Sequence, residues 1–154
     1  MNVKNNNIIV KNKNASRNYH LGDKYQAGLV LEGWEVKGLR NGKVDVKDSY
    51  VTLRNNEAWI IGLKIDAPAS LKNENIDPTR SRKLLLNKKE INKILDAVSQ
   101  QGLTCILTSL YWKDNKIKCD IAIGKGKKTY DQREDVKKRD WNREKQRILK
   151  NSNR

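Results

Sequence analysis

The sequence predicts a mainly β protein: a small closed antiparallel barrel with short helices at its rim, followed by a basic C-terminal segment. Three observations carry this reading. Apolar stretches recur in pairs around turn residues, as in 44–65 about Asn55-Asn56 and 103–124 about Lys113–Lys116. No alternation of strand and long helix suggests a parallel sheet, so closure of an antiparallel one is the natural way to hide its edges. The charge sits at the ends: the chain holds 33 Lys and Arg against 18 Asp and Glu, a formal +15, yet residues 1–20 carry four bases and no acid, and 124–154 carry twelve bases and five acids. A nearly balanced body with two basic arms follows, within a length of 154 residues that suits one domain.

Taken in order, Met1–Lys13 is polar and Asn-rich and is expected to be a mobile arm. A short strand is expected around Arg17–Leu21, and a second over Tyr25–Leu31, where Gly28 weighs against a helix by ~1 kcal/mol. Trp34, Val36 and Leu39 do not alternate, and Asn41-Gly42 is a helix stop, so 33–40 reads as a short helix with Lys37 and Arg40 on one exposed side. Val44–Arg54 and Glu57–Ile65 form a hairpin, with Trp59, Ile61, Leu63 and Ile65 as its buried face. Ala67–Thr79, with both prolines, is a loop. Asn87 and Glu90 resemble a capping box at the head of a helix to Gln101, in which Ile91, Ile94, Leu95 and Val98 form the apolar stripe before Gly102. Leu103–Trp112 and Ile117–Gly124 make the last hairpin.

That hairpin also decides the cysteines. Folding it about the loop centre sets Cys119 opposite Leu110, so Cys105 lies five residues away, roughly 16 Å at the usual rise. No disulfide can form in that register, and both read as buried structural thiols in a reducing compartment. No stretch approaches the ~20 apolar residues of a membrane span, and Ile8-Ile9-Val10 is too short for a signal-peptide core, so a cytoplasmic protein with no membrane partner is expected. One histidine, His20, supports neither a structural zinc site nor a catalytic triad, and no cofactor is expected. GKGKKT at 124–129 lacks the spacing of a nucleotide-binding loop. Its lysines either neutralise RNA phosphates or form a solvated turn. Trp34, Trp59 and Trp112 read as core. Trp141 lies among Arg139, Asp140, Asn142 and Arg143, and either stacks on RNA, the reading preferred here, or docks on the body with Ile148. The last stretch has helical character and almost nothing to bury, so it should fold only on a partner.

Five stretches together resemble the SsrA-binding protein family, also called small protein B (SmpB): AGLVLEGWEVKGLRNGK (27–43), KDSYV (47–51), DPTRSRKLLLNKKE (77–90), LYWKDNKIK (110–118) and GKGKKTYDQR (124–133). They stand in the family's order, and the combination is specific although each piece alone is weak. The resemblance implies a barrel of oligonucleotide-binding (OB)-like type over 14–129, a flexible arm at 1–13, and a basic tail over 130–154 that is helical only when bound. It implies a non-enzymatic adaptor that binds the tRNA-like domain of transfer-messenger RNA (tmRNA) and delivers it to stalled ribosomes for trans-translation, with elongation factor Tu as a further partner through alanylated tmRNA and the protein itself a monomer. The implied tmRNA face comprises Asn12, Arg17, Tyr19, Gln26, Lys37, Arg40, Leu86, Lys125, Lys127 and Lys128. The implied decoding-centre segment comprises Tyr130, Asp131, Arg133, Trp141, Lys145, Arg147 and Ile148. The chain departs from the pattern at Asn14 and Ser16, where positive charge is usual, at Gln26 (commonly Glu), Gly38 (Ser), Asn87 (His), Gln132 and Tyr130 (His). The alternatives are a constitutive ribosomal or initiation-type RNA-binding barrel and an RNA-processing nuclease.

Overall fold

The computed structural model describes residues 7–71, 76–127 and 129–152, and within the last of these the side chains of 133 and 137–150. Among the described residues nine strands and four helices follow one another: β1 (Ile8–Lys11), α1 (Lys13–Asn18), β2 (Tyr19–Leu29), α2 (Gly33–Arg40), β3 (Val44–Asp45), β4 (Tyr50–Arg54), β5 (Glu57–Ile61), β6 (Lys64–Ile65), β7 (Arg82–Leu85), α3 (Lys88–Gln100), β8 (Thr104–Lys113), β9 (Lys116–Gly126) and α4 (Thr129–Ser152), with a 3-10 turn at Ala69–Leu71. Antiparallel pairings run β8–β4–β5–β7–β2–β9 and return to β8, so the ring closes as the sequence predicts. β1 lies on the edge of β8 that β4 leaves open: β4 pairs at Cys105 and Ile106, β1 at Ser109–Tyr111. β3 and β6 form a separate two-stranded ladder.

The long hairpins carry the barrel. Asp114 and Asn115 at φ 51° and 63° turn β8 into β9, and Asn55 and Asn56 at 52° and 62° turn β4 into β5. Two successive left-handed residues make the turn whose twist matches paired strands, and asparagine and aspartate tolerate it. Leu110 pairs with Cys119 and Cys105 with Ile123, so the thiols sit apart, buried and free. Ile60, Leu63, Ile65, Leu84, Leu107, Leu110 and Ile121 fill the interior. α3 closes over it with Ile91 and Ile94. Its capping box is complete, the Asn87 side chain accepting from the Glu90 amide and the Glu90 side chain from the Asn87 amide.

Several local expectations change. Ile8–Lys11 is a strand rather than part of a mobile arm, and Lys13–Asn18 is a helix. The two strands expected over 17–31 are one, broken by a register shift between Leu21 and Lys24. The hairpin over 44–65 divides into β3, β4, β5 and β6. Its buried face comprises Ala58, Ile60, Leu63 and Ile65, whereas Trp59 and Ile61 are half-buried. Gly62, at φ +78°, is the cause: the kink there moves the alternation by one residue, which exchanges the two faces. A Cβ at this position would lie 2.5 Å from the Asp48 carbonyl oxygen. Trp34 and Trp112 pack against the core from its margin.

One buried ion cluster fixes α2. Its start is a capping box between Glu32 and Glu35, and its end is Asn41 followed by Gly42 at φ +71°. The Glu35 carboxylate, fully buried, accepts from the Glu32 amide, from Arg80 (Nε at 3.2 Å, and Nη2) and from Nε of Arg82. Arg82, equally buried, donates onward to the carbonyls of Leu63 and Pro78. Burial would raise the Glu35 pKa. The hydrogen bonds from Arg80, the Glu32 amide and Arg82, with the Arg82 charge, outweigh it and hold the carboxyl below its ordinary range. Gly38 lets the helix close on β6, since a Cβ there would meet Ile65 Cγ2 at 2.7 Å.

Candidate nucleic-acid interface

The residues implied as RNA contacts separate into two groups at opposite ends of the β2–β9 ribbon. At the first end, Arg17 lies exposed in the last turn of α1. Tyr19 caps that helix through its amide and pairs with Gly126, and exposed Lys125 faces His20. Lys127 ties the end of β9 to α1: its amide donates to the Asn18 carbonyl at 2.7 Å and its ammonium to the Ser16 carbonyl at 2.9 Å. Carbonyls of a final helical turn carry partial negative charge, so a cation suits them. Asn12 works inward. It is 7% exposed, donates from Nδ2 to the Leu107 carbonyl and accepts from the Asn14 amide, so it braces α1 against β8. Lys128 lies outside the described residues.

At the second end, Lys37 and Arg40 project from α2 into solvent, as predicted. The Arg40 guanidinium lies 5.6 Å from the centroid of the Trp112 ring, within cation–π range. On the face of β8 opposite to Trp112, Gln26 donates from Nε2 to the Tyr111 hydroxyl, which donates to Asp120 Oδ1 at 2.9 Å. Lys113 donates to Gln26 Oε1 at 3.4 Å. The Tyr111 hydroxyl is buried, which pushes its pKa up to about 12. Leu86 is half-buried against the core, while its neighbour Leu85 is 56% exposed. Seven steps along β2 separate Tyr19 from Gln26, so these two positions stand roughly 20 Å apart. Sequence reasoning did not find Tyr111, Trp112, Lys113 or Leu85 as members of this surface. The LYWK run contains three of them, but only the barrel brings Trp112 under Arg40.

α4 presents the predicted tail residues. Arg133, Trp141, Lys145, Arg147 and Ile148 are all exposed, Trp141 and Ile148 each by 59%. The Lys145 ammonium lies 5.4 Å from the Trp141 ring centroid, and Arg147 pairs with Glu144 at 2.9 Å. The side chains of Tyr130 and Asp131 lie outside the described residues. Trp141 is therefore not docked on the barrel with Ile148; every described side chain of α4 from Lys137 to Lys150 faces solvent. Among the described residues no group of three His, Cys, Asp or Glu side chains could hold a metal ion, and no helix is long and apolar enough to cross a membrane.

Residues 9–151 match the sequence model of the SmpB protein family. The chain belongs to this family. SmpB relatives align with it nearly end to end. The SsrA-binding protein of Coxiella burnetii (strain Dugway 5J108-111) is 50% identical over 143 residues, covering 92% of this chain and 90% of that one. The SsrA-binding protein of Ruthia magnifica subsp. Calyptogena magnifica is 50% identical over 149 residues, covering 96% and 90%. An SmpB-type fold is also seen in a solved structure described as "tmRNA-SmpB: a journey to the center of the bacterial ribosome". One of its chains superposes with a TM-score of 0.65 at 36% identity, covering 78% of this chain and 85% of its own. The mostly antiparallel β architecture with flanking helices is thus the family's.

Proposed function

We propose that this protein is an RNA-binding adaptor of trans-translation. It binds the tRNA-like domain of tmRNA and carries it to stalled ribosomes, and its tail occupies the decoding centre and the empty mRNA channel. The observation that carries this reading is the 50% identity to SsrA-binding proteins across nine-tenths of both chains. The geometry gives it physical content. Two cationic groups near opposite ends of the β2–β9 ribbon, whose marker positions Tyr19 and Gln26 are roughly 20 Å apart, engage together only an extended, structured polyanion, which a folded RNA is. Phosphate contacts by Arg17, Lys125, Lys37 and Arg40 supply salt-dependent affinity and set the orientation.

The division of labour follows the fold. The barrel to residue 129, with β1 and α1 attached, holds the RNA. The segment from Tyr130 onward substitutes sterically and electrostatically for the absent codon–anticodon duplex. α4 is helical over Thr129–Ser152, where the sequence predicts a segment ordered only on a partner; it buries none of its described side chains, so its stabilising contacts are left for the ribosome. The adaptor acts in the cytoplasm as a monomer, catalyses no reaction, and meets elongation factor Tu through alanylated tmRNA.

Affinities for the tRNA-like domain and for a generic RNA hairpin, measured at two salt concentrations, test the proposal. Preference for the tRNA-like domain that persists at the higher salt is expected. Equal affinity for both would favour a constitutive ribosomal or initiation-type RNA-binding protein, and site-specific cleavage of tmRNA with Mg²⁺ would make the protein a nuclease.

A further inference from the structure

The hydrogen bonds around Gln26 form a directed chain whose sense is fixed at its buried end. Asp120 is an acceptor only, so the single proton of the Tyr111 hydroxyl is committed to it. Tyr111 is 1% exposed, which leaves Gln26 as the group facing its remaining oxygen lone pairs. The side of the Gln26 amide that faces the hydroxyl must therefore be the NH₂ group. The amide oxygen is turned outward, and the Lys113 ammonium lies on it.

Lys113 has two lysines near it on β9. It stands directly opposite Lys116 in the β8–β9 register, and Lys118 pairs with Tyr111 on the same ladder. Like charges set opposite one another destabilise a strand pair. Asp114, in the intervening turn, is the neighbouring acid in sequence. Because residue 26 is an uncharged amide, it holds Lys113 by a dipole and leaves its charge unneutralised.

We propose that Lys113 is a further phosphate-contacting residue of the RNA interface, and that Tyr111 and Gln26 act as positioning residues that hold its ammonium at the outer face of the β8–β9 hairpin. This rests on the RNA-binding reading above. It makes the Tyr111–Gln26 chain a device for presenting a cation, with Gln26 touching RNA through Lys113 rather than by its own charge.

The test uses the full-length protein and an in vitro transcript of the tRNA-like domain of tmRNA, with affinity measured over a series of salt concentrations. Lys113→Gln is expected to weaken binding three- to tenfold and to lower the slope of log affinity against log salt by about one contact's worth, roughly 0.7–0.9. Lys113→Arg should restore the slope. Tyr111→Phe should weaken binding in the wild-type background and add nothing in the Lys113→Gln background, since both changes remove one held cation. A merely structural Tyr111 would give losses that add. Wild-type affinity and slope in Lys113→Gln, or additive losses in the double variant, overturn the inference while the adaptor reading stands. Failure of the wild-type protein to bind the transcript overturns both.

Discussion

Replacing Glu35 by alanine removes a carboxylate that two arginines share inside the protein. Glu35 and Arg82 are both fully buried, and Arg80 is largely so. The substitution leaves the Arg82 guanidinium in the interior with only the Leu63 and Pro78 carbonyls as acceptors, and frees the Glu32 amide at the start of α2. Breaking a buried pair by deleting one partner costs about 3–5 kcal/mol, because the other charge remains desolvated. For a chain of this size each kcal/mol moves the melting temperature by roughly 2–4 °C, so a fall on the order of 10 °C is expected in a circular-dichroism melt. The pH dependence has a definite sign. The carboxyl pKa is lowered by folding from an ordinary value of 4.5, so its contribution is complete above that value and fades as pH falls through the folded value. Wild type should lose stability below about pH 4.5 more steeply than Glu35→Gln. A melting temperature for Glu35→Ala within ~2 °C of wild type, or identical acid profiles for wild type and Glu35→Gln, would refute this account of how α2 is held.

Three further outcomes follow from particular residues. Gly62→Ala should cost at least ~2 kcal/mol, because alanine disfavours φ +78° and its Cβ would meet the Asp48 carbonyl oxygen at 2.5 Å; a denaturant midpoint equal to wild type would contradict this. Cys105 and Cys119 should react with a thiol reagent at pH 8 only as fast as the protein opens, since both are buried and burial pushes Cys105 up to about 12; two thiols should titrate promptly in denaturant, and prompt labelling of the folded protein would count against the barrel interior described here. Ending the chain after Gln132 should leave the melting temperature and affinity for the tRNA-like domain near wild type while abolishing tagging on stalled ribosomes. Loss of RNA binding in that variant would show that barrel and tail do not divide the work.

The parts of the fold legible in the sequence are those set by local pattern. α3 announces itself through Asn87, Glu90 and a four-residue stripe. The β8–β9 register is fixed by one short turn, so the Leu110–Cys119 pairing follows from counting. β7 is the opposite case. Its first residue is a charged arginine that is fully buried, a placement that depends on Glu35, 47 residues away, and that no alternation rule anticipates. β1 is short and only half-buried, and its pairing joins Ile8 to Tyr111, far apart in sequence. Gly62 changed the buried face of β5 and β6 because a single left-handed residue reverses the phase. At the interface, exposure of Lys37 and Arg40 was readable from helix spacing. The inward turn of Asn12 was not, because its partner Leu107 lies 95 residues away, on a strand that only the folded barrel brings beside it. Nor was the difference between Leu85 and Leu86, which depends on strand direction at the end of β7.

The sharing of β8 between β4 and β1 has a consequence for solubility. A strand edge with unpaired amides and carbonyls is a template for another chain to pair with. β4 covers only the first half of that edge, and Ser109–Tyr111 would be such a template were they not paired with Ile8–Lys11. Four residues near the start of the chain thus act as a seal. Variants lacking them should self-associate through β8 at concentrations where the intact protein stays dispersed.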